Sequence, residues 1–229
     1  MRRDDARLVP ISVLRYHLLR QTARRDDEPM AGHLYFMRHG ETTLNKQGIW
    51  QGRIDSRLSE KGLEQARAAG DHIRETDLEI DAAFCSPLGR ARQTIETALP
   101  DQAYVTDEGL QEISFGSLEG KPNVDGVIGP YGDYFKRFGG ESEDEACGRI
   151  CAAVDAIATD HVDENVLVVS HGTMGRLFST RWSDGTAPKW LPNCCLMEFA
   201  YDAGSHAFAY EGIWAPGDGT SDSWTWTDK

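Results

Sequence analysis

LYFMRHGETTLN, Leu34 to Asn45, passes without an ordinary turn from core residues to charged ones. Leu34 to Met37 are apolar and include two aromatics, the pattern of a short buried strand. Arg38, His39 and Gly40 follow at once, and Asn45 lies six positions past His39. A strand that is apolar on both faces belongs to a sheet covered on both sides by helices. In such sheets, polar residues at a strand's carboxyl end line a crevice. Other strands of this chain should therefore end in the same kind of chemistry.

Two do. IDAAFCS (80–86) reads as a second buried strand, and PLGRARQTIETAL (87–99) as the helix after it, with Pro87 in its first turn and Arg90 one turn in. NVLVVSHG (165–172) is the strongest strand pattern and runs out into Ser170, His171 and Gly172. Between these, SEKGLEQARAAGDHIRET (59–76) predicts a helix capped by Ser59, with apolar positions at Leu63, Ala66, Ala69 and Ile73. ESEDEACGRICAAVDAIATDHV (141–162) predicts a long helix with acids at its N-terminal end, where the dipole favours them. AYVT (103–106) reads as a short strand, and 194–214 as a hairpin around Ala203-Gly204.

Strands alternating with helices predict one three-layer α/β domain, a mostly parallel sheet with helices on both faces, over residues 31–215. Residues 1–30 read as an appendage. The charged clusters MRRDD and ARRDDE flank a segment in which Ile11, Leu14 and Leu18 have helical spacing. Its aspartates count against an organelle targeting peptide, and a start codon placed too far upstream would also produce it. Residues 216–229 read as a loose polar tail.

The 229 residues carry a formal net charge of -13, which disfavours nucleic acid and anionic membrane as partners. No apolar run approaches the roughly 20 residues of a membrane span. The five cysteines, Cys85, Cys147, Cys151, Cys194 and Cys195, are odd in number and follow no secretory signal, so reduced thiols in a cytoplasmic protein are expected. Cys147 and Cys151 with Cys194 and Cys195 could offer four thiolates to zinc, but their spacing lacks the close pairs of structural zinc sites.

Parallel strands would carry Arg38, His39, Arg90 and His171 to one edge. Any one of these residues alone reads as a surface ion pair or a satisfied polar group. Together, in an acidic chain, they read as an anion site, because arginine's planar fork suits phosphate oxygens. The helix N-terminus near Pro87 should add its positive dipole. The sequence contains no HExxH zinc motif and no GxxxxGK[ST] phosphate loop. Histidine is then the expected nucleophile, attacking phosphorus while the arginines stabilise the equatorial oxygens.

RHGET (38–42), CSPLGRARQT (85–94), LQEISFGSLEG (110–120) and VVSHG (168–172) occur in the order in which similar motifs occur in a known family. On these residues the chain resembles the histidine phosphatase superfamily, in its phosphoglycerate mutase-like branch. The resemblance implies that His39 is phosphorylated, that Arg38, Arg90 and His171 bind and polarise the phosphoryl group, and that Glu112 is the general acid. A carboxyl in such a pocket should have a raised pKa. It further implies that Asn45, Gln51, Gly52 and Gly172 line the site, and that Glu41 braces the catalytic loop. Neither metal nor cofactor is implied. The expected function is a metal-independent phosphatase acting on a small phosphorylated metabolite. The alternatives are a 2,3-bisphosphoglycerate-dependent phosphoglycerate mutase and a catalytically weak binding module on the same fold. The stretch from Gly116 to Ser142 would cover the substrate. Its only cations are Lys121, Lys136 and Arg137, opposed by Glu119, Asp125, Asp133 and Glu141. Interaction with nucleic acid or membrane is not expected, and no oligomeric state is implied.

Overall fold

Leu34 to Met37 form the middle of strand β1 (His33–Arg38), and their side chains alternate between two cores. Leu34 and Phe36 enter one apolar cluster, Tyr35 and Met37 the other. The same alternation divides β4 (Asn165–Ser170), with Val166 and Val168 on the first side and Leu167 and Val169 on the second. This is the period of a strand buried on both faces. A computed structural model of the chain describes residues 32–123, 126 and 129–217. The expectations for residues 1–30 and for most of the tail lie outside that range.

Six strands form one sheet in the order β3-β2-β4-β1-β5-β6. β2 (Ala82–Cys85), β3 (Val105–Thr106), β4 and β1 run parallel, while β5 (Leu196–Asp202) and β6 (Ala207–Trp214) form the expected antiparallel hairpin beside β1. Of the helices, α1 (Thr43–Lys46) is a single turn capped by Thr42. α2 (Glu60–Glu75) is capped by Ser59, whose hydroxyl accepts the Gly62 N–H. α2 and α3 (Gly89–Ala98) cover one face through Ala66, Ala69, Ile73, Ala91 and Ile95. α4 (Glu143–Asp160) and α5 (Gly172–Trp182) cover the other through Ile150, Val154, Met174 and Phe178. Each large side chain buried in these layers contributes about 1.5–3 kcal/mol. No helix among the described residues is long and apolar enough to cross a membrane.

Several local expectations need correction. α3 starts at Gly89 with Leu88 as its N-cap, so Pro87 precedes the helix instead of sitting in its first turn. β2 is shorter than 80–86: Ile80 and Asp81 precede it, and Ser86 follows it as the first loop residue. α5 is an addition to the expected elements: its buried Met174, Leu177 and Phe178 have helical spacing, but Gly172 and Gly175 interrupt the pattern. Gly175 is there for packing, since a Cβ would lie 2.7 Å from both Leu191 and Phe36. The four-thiolate zinc site does not form. Cys194 and Cys195 point into opposite cores, while Cys147 and Cys151 pair with each other at 4.0 Å on α4. All five cysteines are free.

Candidate active site

Register decides what meets at the carboxyl edge of the sheet. Arg38 is level with Ser170, and Cys85 with Val169. The residue after each strand then continues the ladder by one bond: His39 N–H donates to Ser170 O at 3.0 Å, and Ser86 N–H to Val169 O at 2.9 Å. His39 and His171 consequently face each other, ring centroids 5.2 Å apart. Gly172 follows as the first residue of α5, and a Cβ there would lie 3.0 Å from Arg38 Nε. A side chain there would press on the guanidinium, which the bare glycine backbone avoids.

Arg38, His39, Arg90, Glu112 and His171 are each at most 8% exposed. Burying two guanidiniums together is costly without partners. Three of their N–H groups are bound to backbone oxygens. Arg38 Nη1 donates to Leu191 O. Arg90 Nη1 donates to Ile54 O at 2.8 Å and Nη2 to Gly52 O at 2.7 Å. Arg38 Nε, Arg90 Nε and His171 Nδ1 are buried without a hydrogen-bond partner among the described residues.

His39 Nδ1 lies 2.7 Å from Gly40 O. A carbonyl only accepts, so Nδ1 carries the proton and Nε2 the lone pair. Burial, with Arg90 and Arg38 nearby, holds the His39 pKa well below the usual imidazole range. His171 is depressed for the same reasons. Both rings are neutral at neutral pH.

Glu112 reaches the edge because Ser170 Oγ donates to Leu110 O at 2.8 Å and draws its segment to the end of β4. Its oxygens accept N–H groups from Ile113 (3.0 Å) and Thr173 (3.4 Å). Burial raises its pKa, opposed by Arg90, these N–H bonds and Arg38.

The remaining sequence-predicted residues frame this cluster. Gly52 adopts a φ of +53°, a left-handed conformation that favours glycine, and a Cβ there would displace the Glu119 carboxylate. Gln51 is buried, and its Oε1 accepts the Ser56 hydroxyl at 2.8 Å. Asn45 spends its side-chain oxygen on the Thr42 N–H at 3.2 Å, which leaves the amide NH₂ as the group an anion could use. Glu41 accepts the Ser59 hydroxyl at 2.6 Å and so ties the loop after β1 to the start of α2.

Four contributors escape sequence reasoning. Ser86 Oγ lies 2.8 Å from His171 Nε2. Arg149 of α4 donates to the carbonyls of Gly109 (2.9 Å), Gln111 (2.8 Å) and Glu112 (3.3 Å) and so clamps the Glu112 segment. Asn193 Nδ2 donates to His39 O at 2.9 Å from the loop before β5. Asp55 accepts N–H groups from Gly89 and Arg90. That last contact corrects an expectation: the N-terminus of α3 is occupied by an internal carboxylate, so its dipole is not free for a ligand. Ser86 stands inside the 85–94 motif, which is the signal that could have found it. The other three have no local signature.

The arrangement is a buried cluster of neutral imidazoles, guanidinium N–H donors and one carboxyl inclined to keep its proton. Residues 34–211 match the family model of the histidine phosphatase superfamily, branch 1. The chain is 33% identical over 178 residues to a metal-independent phosphoserine phosphatase of Arabidopsis thaliana, covering 71% of this chain and 74% of that protein. It is 35% identical over 161 residues to a probable phosphoglycerate mutase GpmB of Erwinia tasmaniensis, covering 64% and 73%. Among solved structures, Bacillus stearothermophilus YhfR has a TM-score of 0.68 at 29% identity, over 79% of this chain and 95% of that one.

Proposed function

The chain belongs to branch 1 of the histidine phosphatase superfamily, an enzyme family, and on that premise we propose that it is a metal-independent phosphatase of small phosphomonoesters working through a phosphohistidine. The observation that supports this most is the state of His39. Its Nδ1 proton is committed to Gly40 O at 2.7 Å, so the nucleophilic lone pair sits on Nε2 of a ring held neutral by burial and by Arg90 and Arg38.

In the proposed sequence, Nε2 attacks phosphorus and the phosphorus–oxygen ester bond breaks. Arg38, Arg90 and His171 stabilise the charge on the equatorial oxygens, using N–H donors that have no other partner among the described residues. Glu112 gives its proton to the departing alkoxide. As a carboxylate it then takes a proton from water, whose oxygen attacks the phosphohistidine. Inorganic phosphate leaves, and His39 and Glu112 return to their starting states. Asn45, Gln51, Gly52 and Gly172 shape the pocket around this exchange.

Hydrolysis is favoured over phosphoryl return by the cover segment. A mutase grips the second anionic end of its substrate, but Lys136 is bound to Glu145 at 2.7 Å and Arg137 lies over the rings of Tyr134 and Phe138 at 4.2 and 4.8 Å.

Rapid quench with ³²P-labelled substrate tests the reading. An acid-labile, base-stable adduct should form and vanish in His39→Ala together with phosphate release. Wild-type-like release by His39→Ala would overturn the mechanism. Turnover of 2-phosphoglycerate to 3-phosphoglycerate, stimulated by 2,3-bisphosphoglycerate beyond any phosphate release, would make the protein a mutase.

A further inference from the structure

Large apolar side chains rarely stand in solvent without a use when they cluster at a site. Among the described residues three large apolar side chains are exposed: Ile54, Val105 and Trp190. Val105 is on the edge strand β3. The other two are attached to the groups that hold the pocket's arginines. Ile54 supplies the carbonyl that accepts Arg90 Nη1 at 2.8 Å. Trp190 is 64% exposed, its ring 5.3 Å from Arg38 Cζ, and its neighbour Leu191 supplies the carbonyl for Arg38 Nη1. The Trp190 ring therefore stands beside one guanidinium, and the backbone of exposed Ile54 holds the other. The indole is steadied by a buried cation, as a rigid wall would be.

A second aromatic stands near the carboxyl. The Tyr131 ring packs on Trp50 (6.0 Å) and Phe135 (4.8 Å), and its phenol is raised by burial and by the charge of Glu112.

Four of the cations near the pocket are already engaged, while Arg57 and Lys189, close in sequence to Ile54 and Trp190, are exposed. Arg53 and Arg149 share Glu141 at 3.1 and 2.9 Å, Arg176 is on Glu143, and Lys136 is on Glu145. Residues 123–130, NVDGVIGP, contain no cation. Of the cover's three cations, Lys121 alone remains, and it is exposed.

We infer that the substrates are phosphomonoesters whose alcohol carries an apolar ring or chain, seated against Trp190 and Ile54. The inference rests on the phosphatase reading above.

The test compares kcat/KM for 2-phenylethyl phosphate, ethyl phosphate and O-phosphoserine. All three are esters of primary alcohols, so differences report binding of the alcohol more than its reactivity. The phenylethyl ester should exceed each of the others by about tenfold or more. In Trp190→Ala the phenylethyl-to-ethyl ratio should fall most of the way to one, and Trp190→Phe should keep most of it. The ratio cancels any general effect of the substitution on Arg38. Ile54→Ser should lower the same ratio, so the inference stays testable if the tryptophan variant is unstable. A preference for phosphoserine that disappears in Lys121→Ala would overturn the substrate class and leave the phosphatase reading intact. A ratio unchanged in both Trp190→Ala and Ile54→Ser would do the same. If no ester releases phosphate and none labels His39, the phosphatase reading fails and the inference falls with it.

Discussion

The Ser86 hydroxyl lies 2.8 Å from Nε2 of His171. It also receives the Leu88 N–H at 3.4 Å. His171 Nδ1 is buried without a partner among the described residues. A serine at the end of one strand thus orients the ring of a histidine at the end of the next, leaving Nδ1 for a ligand. Ser86→Ala should reduce kcat by about tenfold to a hundredfold through loss of one oriented donor, with a smaller change in KM. Ser86→Thr, which restores a hydroxyl, should recover much of it. Steady-state kinetics of both variants decide the matter, and full activity in Ser86→Ala would count against the assignment.

Glu112 matters most when the leaving group is poor. Glu112→Gln should lower turnover of alkyl phosphates by about a hundredfold or more, the usual scale of a lost general acid. Turnover of p-nitrophenyl phosphate should fall much less, because p-nitrophenolate departs without a proton. Burial raises the carboxyl's pKa, so the protonated acid persists above the ordinary carboxylate range. For alkyl substrates, activity should be lost as pH rises through that raised value, and the variant should lack this limb. Equal losses for both leaving-group types would remove Glu112 from the role.

At the opposite end of β1, His33 Nδ1 lies 3.2 Å from Glu198 and 3.3 Å from Glu211. The two glutamates overcome burial and raise the His33 pKa from 6.5 to about 9. A histidine raised on folding stabilises the fold fully below its unfolded value, and that contribution is lost as pH rises through the folded value. The melting temperature should therefore decline between about pH 6.5 and 9 more steeply in wild type than in His33→Gln. Parallel curves would show that the pair contributes nothing.

The same three residues are the one grouping among the described residues that could hold a metal ion. They sit at the amino end of β1, about 20 Å along the strand from His39 at 3.3 Å per residue. Phosphate release should survive prolonged treatment with a strong chelator. Loss of activity on chelation, restored by zinc or magnesium, would mean the catalytic cluster works with a metal.

Arg38, His39, Arg90 and His171 are legible in the sequence because each stands immediately after, or one turn beyond, a strand with an unmistakable apolar pattern. Periodicity and helix capping are local properties, so β1, β4, α2 and α4 can be read within a residue or two. Glu112 is different. Its segment has little periodicity, and only its likeness to a motif singles it out.

The sequence by itself determined the α/β class, the parallel core and the residue types at its carboxyl edge, since these follow from side-chain spacing along single elements. Tertiary structure alone decided the rest. It put Asp55 on the N-terminus of α3, where helix polarity favours a ligand anion, and Arg149 on three carbonyls some 40 residues away in sequence. It also sent the adjacent Cys194 and Cys195 into opposite cores. Contacts of this kind depend on which loops the sheet brings together, and a buried polar group takes whichever partner the fold offers, a choice that no spacing along the chain records.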